Sequence, residues 1–210
     1  VARGHFITFE GIEGCGKTTQ LLLLARHLQE SGVTVVTTRE PGGTPLGERV
    51  RGLLLDPRLI PAPVVELFLL EAARAQLVAD VIAPALEVGS YVLSDRFADS
   101  SLAYQGGARH LPRATVERLN ELAVAGIVPD RTLVFDLGVE LALGRARERP
   151  GTGPDNSRFE DETLSFHRAV AEAYRQLARE QPERVVIVDA RGTPEEVHRR
   201  TLAALGGILP

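Results

Sequence analysis

The 210-residue chain has no methionine, no tryptophan, one cysteine and one lysine. With only Cys15 available no internal disulfide can form, so stability has to come from packing. The five histidines, His5, His27, His110, His167 and His198, are too scattered to suggest a local metal-ligand motif. Apolar runs are short, Leu21 to Ala25 being typical, and none approaches the ~20 residues a bilayer span needs. The first residues lack the charged, apolar and cleavage-site succession of a secretory leader, so the expected location is cytoplasmic. A net charge of −4 and the lack of a basic run interleaved with aromatics argue against a broad nucleic-acid surface. The remaining composition, 44% hydrophobic and 25% charged, is that of an ordinary globular chain of one-domain length, read here as a single domain over residues 1–210.

Of the 24 basic residues, 23 are arginine and one is Lys17. Only lysine carries a compact ammonium on a thin flexible stem, so a chain that otherwise uses arginine has a reason for that shape at position 17.

Strand-like runs recur at His5 to Glu10, Val33 to Thr38, Tyr91 to Asp95, Thr132 to Asp136 and Arg184 to Asp189. Helical periods lie between them, at about 17–31, 47–55, 64–87, 113–125, 139–147, 161–181 and 194–205. Strands alternating with long helices imply right-handed crossovers, hence an α/β three-layer domain with a five-stranded parallel sheet covered by helices on both faces. Ligands of such sheets bind beyond the carboxyl ends of the strands. Three of those exits are chemically unusual.

The first exit runs Gly11-Ile12-Glu13-Gly14-Cys15-Gly16-Lys17-Thr18-Thr19, matching G-x-x-x-x-G-K-[ST] between a strand and a helix. Glycines there let consecutive N–H groups turn onto phosphate oxygens, and the positive end of the next helix adds attraction. Lys17 is expected to reach the β and γ phosphates of a nucleotide, and the Thr18 hydroxyl to ligate Mg²⁺. A guanine-nucleotide switch built on an Asn-Lys-x-Asp loop is excluded, since the sole lysine is already placed.

The third exit, Ser94-Asp95-Arg96, sets an acid beside a base, where a motor would carry an acidic pair. Asp95 can hold Mg²⁺ directly or through water, and Arg96 can grip an acceptor phosphate with its planar fork. Arg39, after the second strand, has a similar choice of roles. Arg145, Arg147, Arg149 and Arg158 surround Pro150-Gly151-Thr152-Gly153-Pro154, which reads as a mobile lid over 145–160 that brings positive charge onto a transferring phosphoryl group.

Taken with Thr38-Arg39-Glu40-Pro41-Gly42-Gly43-Thr44, Leu67-Phe68 through Ala72-Ala73-Arg74, Asp95-Arg96-Phe97 and Ala103-Tyr104-Gln105-Gly106-Gly107, the chain resembles the bacterial thymidylate kinases over essentially its whole length. The resemblance implies a P-loop nucleoside monophosphate kinase fold. It also implies transfer of the ATP γ-phosphoryl to dTMP, giving dTDP and ADP in dTTP biosynthesis, with Mg²⁺ and a homodimer. Carried over residue by residue, it implies that Phe68 stacks on thymine, Arg74 bonds a base carbonyl, and Ser101 with Gln105 lines the base's polar edge. Tyr104 would crowd the sugar 2′ position, Glu13 would lie near the 3′-hydroxyl, Arg96 and Arg39 near the monophosphate, and Pro41 under it. Arg149 and Arg158 would supply transition-state charge, and Arg145 would lie against adenine. One branch of the family carries arginine where this chain has Gly14; Phe97 stands where tyrosine or histidine is common, and Ser101 replaces threonine or asparagine.

Within enzymes the rival reading is a phosphotransferase of the same fold acting on another small acceptor. Outside them it is a non-catalytic nucleotide-binding module.

Overall fold

A computed structural model of the chain describes residues 3–148, 159 and 162–210. Five strands, β1 (Phe6–Glu10), β2 (Val35–Arg39), β3 (Tyr91–Asp95), β4 (Arg131–Asp136) and β5 (Val185–Asp189), form one parallel sheet in the order β2-β3-β1-β4-β5. The first strand is central and buried along its whole length. Ile7 and Phe9 point to one face and pack with Leu24, Leu28, Leu133 and Phe135, while Phe6 points to the other with Leu77, Ile82, Val92 and Phe97. The chain leaves β1 toward β2 on one side and later adds β4 on the other, so the order reverses at β1 and opens a crevice beyond its carboxyl end.

Helices α1 (Lys17–Glu30), α2 (Pro45–Leu55), α3 (Pro63–Leu77), α4 (Ala83–Glu87), α5 (Ala98–Ser101), α6 (Arg113–Val124), α7 (Val139–Arg147), α8 (Leu164–Glu180) and α9 (Pro194–Leu205) cover the sheet. Their ends carry local chemistry. Thr44 accepts from Gly47 N at the start of α2, Thr163 from Phe166 N at the start of α8, and Thr193 with Glu196 closes a capping box on α9.

The helix expected over 64–87 is interrupted by a π-helical turn, Val78–Ile82, before α4. Pro84 accounts for it: the ring has no N–H to donate and collides with the carbonyl four residues back, and a widened turn absorbs both. A second departure follows β3, where α5 runs into a π-helical segment, Leu102–Ala108, that the sequence reading left unassigned. Its Gly107 is a contact residue, since a Cβ there would lie 2.7 Å from the Ala173 methyl of α8. That close approach seats α8 against the segment that carries Tyr104 and Gln105.

Candidate functional site

The loop between β1 and α1 is shaped by steric limits as much as by charge. Gly14 has φ 74° and Gly16 φ 95°, both in the left-handed region that favours glycine. A Cβ on Gly14 would lie 1.9 Å from the Ala142 carbonyl oxygen of α7, so no arginine fits there. Lys17, 7% exposed, folds back inside the loop and donates from Nζ to the carbonyls of Gly11 (3.1 Å) and Ile12 (2.9 Å). Cys15 fills space beneath it, and burial pushes its thiol up, away from the reactive thiolate.

Phe9 pairs in register with Asp95, so the end of β3 lies beside the base of the loop. Thr18 Oγ1 donates to Asp95 Oδ2 at 2.6 Å, bringing together two hard oxygen donors from different parts of the sequence. Arg96 follows with φ 76°, a left-handed conformation uncommon for a side chain of its size. From there Arg96 Nη2 donates to Glu13 Oε1 (2.8 Å) and to the Tyr104 hydroxyl (2.9 Å), while Tyr104 donates to the same Glu13 oxygen (2.8 Å). Burial pushes the Glu13 carboxyl up, but Arg96, with His167 and Lys17 adding to it, outweighs that and holds it well below the usual carboxylate range.

These groups border a cavity of about 610 Å³ at the carboxyl edge of the sheet. Of the residues singled out in the sequence, Glu13, Gly14, Gly16, Lys17, Thr18, Arg39, Pro41, Asp95, Arg96, Tyr104 and Gln105 line it. Gln105 donates to Glu66 Oε1 at 2.8 Å, while its own side-chain carbonyl oxygen is buried without a partner among the described residues. Arg39 pairs with Glu48 at 3.0 Å on the opposite wall. Gly11, Ile12 and Cys15 are buried within the loop and do not line the cavity, and Thr19 is exposed on α1, outside the lining.

Four expectations are placed differently. Phe68 is 55% exposed on α3 and does not reach the cavity; Leu70, two residues on and round the other side of the helix, does. Leu70 is also one helical turn before Arg74, a spacing that could have identified it. Arg74 lies behind the cavity wall at 1% exposure, its guanidinium donating to Glu40, Glu71, Ser101, Asn120 and the Phe97 carbonyl. Ser101 is fully buried in the same cluster, donating to Glu71 at 2.9 Å. Arg145 is exposed on α7 and does not line the cavity. Arg149 and Arg158 lie outside the described residues.

Arg51 and Glu40 also line the cavity without having been given a role in the sequence. Arg51 reaches across from α2, donating to the Pro41 carbonyl at 3.1 Å, and joins Arg39 and Arg96 as a third cavity arginine. Glu40 presents a buried carboxylate whose Oε1 has no partner among the described residues. Burial pushes this group up to about 7 against the pull of Arg74, with Glu71 and Glu10 raising it further.

The family model for thymidylate kinase matches residues 9–201. A thymidylate kinase of Trichlorobacter lovleyi is 51% identical over 195 residues, covering 91% of this chain and 92% of the relative. One of Halothermothrix orenii is 49% identical over 209 residues and covers 99% of both. The crystal structure of thymidylate kinase from Ehrlichia chaffeensis superposes with a TM-score of 0.79 at 33% identity, over 97% of this chain and 98% of that one. With a phosphate loop, an acid–arginine pair and a polar cavity joined at one sheet edge, the chain belongs to the thymidylate kinase family of ATP-dependent nucleoside monophosphate kinases.

Proposed function

We propose that the cavity is where this chain carries out the reaction of its family, transfer of the γ-phosphoryl group of ATP to dTMP to give dTDP and ADP. One observation carries the assignment of residues. The loop with the sole lysine, the Thr18–Asp95 pair and Arg96 open onto the same cavity as Tyr104 and Gln105. Donor and acceptor phosphates can therefore meet end to end.

The acceptor phosphate is already anionic and needs no strong base, so the task is to hold two polyanions together in line. Backbone N–H groups of residues 11–19 and the Lys17 ammonium cradle the donor phosphates. For Lys17 this means leaving the carbonyls of Gly11 and Ile12 for phosphate oxygens, an exchange of neutral acceptors for charged ones. Arg96, with Arg39 and Arg51, holds the acceptor phosphate; Pro41 forms part of the wall beneath it. Thr18 and Asp95 offer the oxygen pair that would hold Mg²⁺, whose charge neutralises the phosphates as they approach. The Tyr104 hydroxyl, fixed by Glu13 and Arg96, occupies the space a ribose 2′-hydroxyl would need, and Glu13 faces the 3′-hydroxyl. The unpartnered Gln105 carbonyl oxygen suits the imide N–H of thymine, with Leu70 as the apolar contact. A base carbonyl reaching Arg74, or a contact to Ser101, would have to displace one of their present protein partners. Arg149 and Arg158 supply transition-state charge from the 145–160 lid, with Arg145 toward adenine.

Exposed apolar side chains on neighbouring helices, Leu53 of α2, Val65 and Phe68 of α3 and Leu122 of α6, support a homodimer through that face. A cytoplasmic location, where both soluble nucleotides are supplied, belongs to the same proposal. Coupled ADP release with dTMP, dUMP, AMP, CMP and GMP tests the reading: dTMP is expected to give the highest kcat/KM. A different preferred acceptor, or ATP binding without ADP formation, overturns it. Arg149→Ala and Arg158→Ala are each expected to lower kcat by ~10²-fold or more, and unchanged turnover in both removes the lid assignment.

A further inference from the structure

Arg96 acts from a backbone conformation that L-residues avoid, so something must hold it there. Three bonds surround it. Arg96 N donates to the Phe9 carbonyl at 3.0 Å, the Ser94 hydroxyl donates to the Arg96 carbonyl at 2.7 Å, and Phe97 N donates to Glu10 Oε1 at 2.8 Å. Glu10, the last residue of β1, is fully buried and touches neither loop ligand nor cavity. Its second oxygen accepts from the Ser100 hydroxyl (2.6 Å) and from the Tyr174 hydroxyl (2.7 Å). Those two hydroxyls face the other side of the Arg96 guanidinium, with Nη1 3.3 Å from Ser100 Oγ and 3.5 Å from Tyr174 OH. One carboxylate therefore braces both the backbone after Arg96 and the hydroxyls beside its head.

A carboxylate is costly to bury, and here burial pushes it up while Arg96 pulls it down. A strand end packed with apolar neighbours would need no acid. The three donors that Glu10 collects all belong to the Arg96 turn or to the helices flanking it.

We propose that Glu10 is the positioning residue for the acceptor phosphate, acting through Arg96. It fixes the left-handed turn and orients the guanidinium before the monophosphate arrives, so that binding does not have to supply that order. The inference rests on the reading of Arg96 as the acceptor-phosphate residue.

A double-mutant cycle on the full chain tests it, with KM for dTMP and KM for ATP measured for Glu10→Ala, Arg96→Ala and the double variant. Glu10→Ala is expected to raise KM for dTMP ~10-fold or more, and Arg96→Ala more still, with KM for ATP within about twofold of the parent. In the Arg96→Ala background, Glu10→Ala is expected to add less than about twofold. Glu10→Gln is expected to recover most of the loss, because its oxygen still accepts from Phe97 N and its amide can donate to a reoriented hydroxyl. Where Glu10→Ala fails to fold, Glu10→Asp takes its place in the cycle: it keeps the charge but falls one methylene short of the three donors. Additive effects, or a rise in KM for ATP equal to that for dTMP, overturn the positioning role. An Arg96→Ala enzyme with unchanged KM for dTMP overturns instead the reading on which it rests.

Discussion

Replacing Arg74 by methionine, an apolar side chain of similar length, removes the guanidinium that pairs with Glu40 at 2.7 Å and Glu71 at 2.6 Å. Both carboxylates are buried, and each already has one oxygen without a partner among the described residues. Breaking a buried pair from one side costs about 3–5 kcal/mol. In a chain of this length that corresponds to a fall in Tm of roughly 6–20 °C. The loss carries a pH signature. Without Arg74 the folded-state pKa of Glu40, which burial already raises to about 7 against the pull of that guanidinium, rises further. The unfolded chain gives up the Glu40 proton first, so the stability held at low pH is lost as pH rises through the folded value. The Tm gap between Arg74→Met and the parent is therefore expected to be widest at pH 8 and to narrow toward pH 5. Differential scanning calorimetry across that range reads both quantities. A gap below about 3 °C at pH 8, or one that does not change with pH, would refute the view of Arg74 as the counter-charge of a buried acidic cluster.

The parent has a related dependence of its own. Because burial raises Glu40 from 4.5 to about 7, its contribution to stability is full below pH 4.5 and declines by up to about 3 kcal/mol as pH rises to neutrality; Glu40→Gln should flatten that part of the Tm profile. Phe68→Asp, on the proposed dimer face, is expected to leave KM for dTMP within about twofold while giving a monomer where the parent is expected to give a dimer by light scattering, whereas Leu70→Ala should raise KM for dTMP ~3- to 10-fold without changing the scattering mass. Gly14→Ala, which sets a Cβ against the Ala142 carbonyl at a positive φ, should weaken ATP binding ~10-fold or more by calorimetric titration and leave dTMP binding nearly unchanged.

Much of this protein can be read from the order of its residues, and for local reasons. The phosphate loop depends on glycines at fixed spacing next to a strand and a helix, all within about ten residues. The strands are short apolar runs and the helices mostly keep a clear period, so the parallel sheet followed without coordinates. Elements failed to appear where the local signal was mixed: the π-helical turn forced by Pro84, and the π-helical segment 102–108, which carries two glycines and against whose Gly107 α8 is packed. Which side chains face the cavity was a tertiary matter. The family resemblance, not the local sequence, put Phe68 in the stacking role; helical rotation leaves it exposed and brings Leu70 to the cavity. The pairing of Thr18 with Asp95 spans 77 positions, because parallel strands bring their carboxyl ends to one edge, and that of Arg74 with Glu40 spans 34, because α3 packs beside the exit of β2. Composition and spacing determined the chemistry this chain carries, since residue types and short-range geometry are properties of the chain alone. The direction of each group, and the burial that sets its charge, depended on which distant elements pack beside it.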